Sequence, residues 1–172
     1  MMIKSIKEKY DEKGYVLVKG LLEEKLIQDV EQEITRLRFL HPEICTFEGV
    51  EDGNKQEVLH KISKFVELSS VIKRIANHEG IHGILRSILS EHAALCTDKV
   101  NFKNPGARGF YPHQDMAGTW SDYVENIVNV FIAIDDSDIE NGCLQISEGE
   151  HNRGMLGPKM SEIYKKNLPS LD

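Results

Sequence analysis

Residues 99–115 read KVNFKNPGARGFYPHQD, and the pattern of the chain changes across this stretch. Lys99, Val100, Asn101, Phe102 and Lys103 alternate polar and apolar, the period of a half-buried strand. Residues two apart in a strand point to one face, so Lys99, Asn101 and Lys103 would share it. The segment NPGARGFYP (104–112) carries Pro and Gly and reads as a loop. It leads to His113 and Asp115, again two apart. In a strand this spacing brings an imidazole and a carboxylate to one point. Two histidines and one carboxylate on one face of a metal, with open positions, suit non-haem Fe(II) for oxygen chemistry. The tripeptide alone fits equally well as a surface histidine followed by a turn-forming aspartate.

Upstream, residues 1–89 read mainly as helix. GYVLVKGLL (14–22) interrupts as a short strand. Leu26, Ile27, Val30, Ile34, Leu37 and Leu40 then recur at helical spacing. CTFEGVEDGNK (45–55) reads as a loop, LHKISKFVELSSVIKRIAN (59–77) as one or two helices, and IHGILRSIL (81–89) as an amphipathic helix. Downstream, AALCTDKVNFK (93–103), NIVNVFIAIDD (126–136) and GCLQISEG (142–149) read as strands of a sandwich or barrel. The expectation is an α+β chain with one domain over residues 1–172. Residues 1–90 would form a helical layer on a β part at 91–172. About three strands leave an open sheet edge, so the fold is expected to continue beyond this chain. The tail MSEIYKKNLPSLD (160–172) reads as loop.

The 172 residues are enough for one core. The formal net charge is −7 with acids spread along the chain, which argues against a nucleic-acid or anionic-membrane partner. No apolar run approaches the roughly 20 residues of a membrane helix. The N-terminus lacks a signal-peptide core. Cys45, Cys96 and Cys143 are odd in number and far apart, which suits free thiols in a reducing cytoplasm.

Three stretches together resemble the phytanoyl-CoA dioxygenase family: YDEKGYVLVKGLLEEKLIQDVEQEI (10–34), KVNFKNPGARGFYPHQD (99–115) and NVFIAIDDSDIENGCLQISEGEHNRGML (129–156). The resemblance implies an Fe(II)- and 2-oxoglutarate-dependent oxygenase on a double-stranded β-helix (jelly roll, cupin-like). It implies that 2-oxoglutarate is oxidatively decarboxylated to succinate and CO2 while O2 hydroxylates a C–H bond of a small organic substrate. It assigns His113 and Asp115 as two iron ligands. Lys99, Asn101, Lys103 and Phe131 fall beside the co-substrate pocket, and no catalytic residue is implied beyond the metal ligands.

The chain also departs from the family pattern. The third ligand, a histidine in a His-Gly turn, and an arginine for the distal carboxylate of 2-oxoglutarate would fall past Asp172. An arginine suits that carboxylate because its fork binds it bidentately. His151 and Arg153 are poor substitutes, because the resemblance keeps the His151 position away from the metal. The chain therefore reads as an N-terminal fragment of an oxygenase. The alternative is a catalytically inactive, truncated jelly roll. A minor alternative is a zinc hydrolase, because NHEGIHGIL (77–85) places His78, Glu79 and His82 as HExxH. Gly80 and Gly83 weaken a helix there, and Ile88 stands where the extended motif wants histidine.

Overall fold

The computed structural model describes residues 2–49, 57–107, 109–117 and 123–156. Its helices are α1 (Met2–Lys13), α2 (Glu24–Leu40), α3 (Ser70–Ala76) and α4 (Glu79–Leu89). Its strands are β1 (Cys45–Gly49), β2 (Glu57–Ser63) and β3 (Lys99–Asn101), which form one antiparallel sheet in the order β1-β2-β3. The expected tail at 160–172 lies outside the described residues.

Helix α2 forms because its apolar residues recur every three to four positions. Leu26, Val30, Ile34 and Leu37 are buried along one stripe, while Leu40 turns out to solvent. The core joins Val30, Ile34 and Leu37 of α2 to Ile62 of β2, Phe65, and Ile72 of α3. Burial of each such side chain contributes about 1.5–3 kcal/mol. Helix α3 starts where the Ser69 hydroxyl accepts the Ile72 N–H at 3.3 Å, an N-cap bond. Helix α4 buries Ile81, Leu85 and Ile88 and packs on α1.

Two readings are corrected here. Residues 45–49, expected in a loop, form β1, and 57–63, expected to be partly helical, form β2. The apolar residues of EVLHKIS stand at helical spacing, but the segment forms a strand because its backbone pairs with β1 on one side and β3 on the other, and Ile62 enters the core from that sheet. Cys45 pairs with Ile62 and Ile62 with Val100 across the three strands. The pairing slips between Thr46 and Phe47, which leaves His60 as the extra residue of a bulge. The chain leaves β2 through Lys64 at φ 60°, a left-handed turn. The Asp98 carboxylate closes it by accepting the N–H groups of Phe65 and Val66 at 2.7 and 3.0 Å.

Three segments expected as strands differ from expectation. Residues 14–22, 126–136 and 142–149 carry no strand pairing among the described residues. The 93–103 strand is reduced to Lys99–Asn101. The observed class is mixed helix and small antiparallel sheet.

The Glu33 carboxylate is gripped by the Arg36 guanidinium at 2.7 and 2.8 Å. That grip, with a bond from the Ser69 hydroxyl, holds its pKa down to about 2 against the opposing effect of burial. A depressed carboxyl contributes stability that is complete above its unfolded pKa of about 4.3 and is lost as the pH falls towards the folded value. Glu33→Gln should therefore cost more at about pH 6 than at about pH 2.5. Urea midpoints at the two pH values check this, and equal costs would contradict it.

Candidate metal centre

The site is built on the segment after β3. Val100 and Phe102 pack against the core, so Lys99, Asn101 and Lys103 take the opposite face, as the alternation predicts. Lys99 and Lys103 are exposed and Asn101 is half-buried. The Asn101 Oδ1 atom is buried with no hydrogen-bond partner. The Lys103 ammonium sits 4.9 Å from the centroid of the Phe110 ring, and that ring lies 5.4 Å from the His60 ring. The Asn104 amide donates to the Leu59 carbonyl at 2.7 Å, which fixes the start of the loop to β2.

His113 Nε2 and Asp115 Oδ1 stand 3.5 Å apart. The strand expected beneath them is absent. Asp115 opens a short 3-10 turn (Asp115–Ala117), and the two side chains converge across the step from extended chain into that turn. The ring orientation follows from its other nitrogen. His113 Nδ1 lies 2.7 Å from the Tyr111 carbonyl, which can only accept, so Nδ1 carries the proton. Nε2 is the ring nitrogen on the Asp115 side, and in the neutral ring its lone pair is the one open to a cation. Metal-binding histidines hold their second nitrogen in this way. Asn129 Nδ2 donates to Asp115 Oδ2 at 3.3 Å and leaves Oδ1 towards the imidazole. A separation of 3.5 Å lies within reach of one cation held about 2.0–2.2 Å from each donor. The two residues thus fit a metal as two ligands. Both are about half exposed. No group of three or more His, Cys, Asp or Glu residues placed to hold a metal occurs among the described residues.

The other candidates fall as follows. Phe131 is 60% exposed, two residues from Asn129. His151 is committed elsewhere. Its Nε2 donates to the Asp11 carbonyl at 3.1 Å, and its ring lies over Gly14, where α1 ends. Arg153 pairs with Glu150 at 2.9 Å. In the HExxH-like stretch, His82 Nε2 donates to the Ala76 carbonyl at 3.0 Å, and His78 is the residue before α4. That ring nitrogen serves the helix junction.

Sequence reasoning missed Asn129, Gln114 and the segment 148–156. Gln114 Nε2 donates to the Gly154 carbonyl at 2.9 Å, and its Oε1 accepts the Leu156 N–H at 2.8 Å. Glu148 accepts bonds from Lys13 and Tyr15 at 2.9 and 2.8 Å, and they hold its carboxyl below the usual range. The Gly149 N–H donates to the Lys13 carbonyl at 2.9 Å. Nothing in a single sequence pairs residues so far apart; only the position of Gln114 between two candidate ligands was visible.

Gly14 explains the close approach of this segment to α1. It has φ +81°, and a Cβ there would meet His151 Nδ1 at 2.5 Å. Gly20 has φ +69° with open space around it. Gly14→Ala should cost about 1–3 kcal/mol, and Gly20→Ala only the backbone share of that. Urea denaturation of both variants checks the difference, and equal costs would contradict the His151 contact.

A histidine and a carboxylate oriented in this way are the donor types of a mononuclear non-haem metal site. The family described as phytanoyl-CoA dioxygenase matches residues 10–165, and the chain belongs to that family. The chain is 29% identical over 146 residues to a 2-aminoethylphosphonate dioxygenase of uncultured bacterium HF130_AEPn_1, covering 83% of this chain and 56% of that protein. It is 24% identical over 157 residues to a methylphosphonate hydroxylase of Gimesia maris, covering 87% of this chain and 57% of the relative. A phytanoyl-CoA dioxygenase domain-containing protein 1 of Danio rerio is 27% identical over 120 residues, 69% of this chain and 41% of its own length. The matched stretch thus spans little more than half the length of the first two relatives and less than half of the third. No solved structure matches it. No helix among the described residues is long and apolar enough to cross a membrane.

Proposed function

We propose that this chain is the N-terminal part of an Fe(II)- and 2-oxoglutarate-dependent dioxygenase that hydroxylates a small polar substrate. The observation that carries the reading is the convergence of His113 Nε2 and Asp115 Oδ1, each oriented by a second hydrogen bond. In this reading they supply two iron ligands. The iron, when bound with 2-oxoglutarate, activates O2 for attack on a C–H bond. Lys99 in β3 and Lys103 just after it supply two positive charges for the dianionic co-substrate. Asn101 offers a buried amide there, and Phe131 an apolar wall.

The domain over residues 1–172 is then an incomplete jelly roll, with 1–90 as its helical layer. The third ligand and the arginine for the distal carboxylate would come from chain outside these residues. Support comes from the share of the relatives that is matched and from Tyr111, Phe131, Leu144 and Ile146, large hydrophobic side chains left exposed in the segments after β3. The net charge of −7 argues against a nucleic-acid or anionic-membrane partner, and the three separate cysteines suit a reducing cytoplasm.

The test starts with the reading frame and the intact mass of the native protein. The full-length protein is then assayed for succinate release from 2-oxoglutarate under O2 with Fe(II), against a panel that includes phosphonates. The names of the two bacterial relatives place such molecules first in the panel. Substrate-dependent succinate supports the proposal. A native product of 172 residues that releases none would replace it with the inactive jelly roll.

A further inference from the structure

Gln114 stands between the two candidate ligands, and both ends of its amide are engaged. It donates to the Gly154 carbonyl and accepts from the Leu156 N–H. One planar group with a donor beside an acceptor thus makes the pair of bonds that an adjoining strand would make. Two bonds of opposite polarity fix the position and the orientation of this side chain. The backbone it hangs from carries His113 on one side and Asp115 on the other.

The segment that receives Gln114 is itself anchored. Glu148 binds Lys13 and Tyr15, Gly149 binds the Lys13 carbonyl, and His151 and Asn152 both bind the Asp11 carbonyl. Residues 148–156 therefore form a strap. One end is pinned to the C-terminal end of α1, and the other end grips the tripeptide His113-Gln114-Asp115.

We propose that Gln114 is a positioning residue of the metal site, clamping the His113–Asp115 backbone to the strap 148–156 so that both ligands are held in register before metal binds. This rests on the proposed function. The competing account is that Gln114 only adds to fold stability. Its bonds are exposed, and exposed hydrogen bonds contribute little to global stability. That account predicts little change in metal binding. A supporting residue behind a ligand instead costs about 10–100-fold in metal affinity when removed.

The experiment is a Co(II) titration of the full-length protein, followed by visible absorption, which reports both affinity and coordination geometry. Gln114→Met keeps the length of the side chain and removes both bonds. Leu156→Pro removes one of the same bonds without touching the tripeptide. Leu85→Ala, at a buried position of α4, supplies a destabilised control. The expected result is Co(II) affinity lowered about 10-fold or more in Gln114→Met and lowered in Leu156→Pro, each with an altered spectrum. Leu85→Ala should keep wild-type affinity despite a lower melting temperature. Wild-type affinity and spectrum in soluble Gln114→Met or Leu156→Pro would overturn the clamp. So would a loss of affinity in Leu85→Ala as large as that in Gln114→Met. A wild-type protein that takes up no Co(II), or a His113→Ala variant that binds it as well as wild type, would instead remove the oxygenase reading itself.

Discussion

Asp115→Ala in the full-length protein should abolish succinate formation while leaving the fold intact. In the proposed site Asp115 is the only charged protein ligand, and alanine offers a cation neither charge nor lone pair. Loss of a supporting residue already costs 10–100-fold, so loss of the ligand should lower turnover by more than about 100-fold. Stability should barely change. Asp115 is half exposed, and its protein partners, His113 and Asn129, can turn to water. Surface changes of this kind stay within about 0.5 kcal/mol. The two effects therefore separate in one variant. A melting temperature near wild type with no succinate supports the ligand role. Turnover near wild type would mean that Asp115 holds no iron. A large loss of stability would mean that the carboxylate serves the fold first. Asp115→Asn refines the result, because the amide keeps an oxygen of similar shape and loses the charge.

The helices were legible because each buries one stripe. Leu26, Val30, Ile34 and Leu37, and likewise Ile81, Leu85 and Ile88, needed only a period to be found. The first two strands were not legible. CTFEG and EVLHKIS are short, and each depends on the other for its backbone bonds. Their pairing brings Cys45 to Ile62 and continues to Val100 of β3, a contact between distant segments that no local window contains. The bulge at His60 also blurs the period-2 signal by shifting the alternation of β2 by one residue.

The candidate site was half legible for a related reason. His113 and Asp115 announce themselves by spacing, and their convergence is observed. The expected reason for it, a continuous strand, is not the one found. The Tyr111 carbonyl and the Asn129 amide do the orienting, and neither residue type is distinctive in sequence. His151 shows the converse. As a lone histidine beside Gly149 and Arg153 it invites a ligand role. The structure spends its Nε2 on the Asp11 carbonyl and packs its ring against Gly14, a use visible only once α1 and the strap meet.

Leu37→Ala should carry one of the largest stability effects among the described residues. Leu37 is 0% exposed and sits in the cluster that α2 shares with Ile62, Phe65 and Ile72. Its truncation removes buried contacts and leaves a cavity walled by three separate elements, which cannot all relax inward. Leu→Ala changes of this kind cost about 2–5 kcal/mol, a large part of the roughly 5–15 kcal/mol that holds a domain together. Leu40 belongs to the same apolar stripe in sequence, one turn further on, yet it is 55% exposed as the last residue of α2. Leu40→Ala should cost no more than about 0.5 kcal/mol. Urea denaturation with matched m-values compares the two directly. Equal costs would mean that the end of α2 is covered in the native protein. The stated difference would place the edge of the core between Leu37 and Leu40. It would also predict that Leu37→Ala weakens Co(II) binding only as far as it unfolds the domain, because the core and the metal pair are joined through β2 and β3 and not by direct contact.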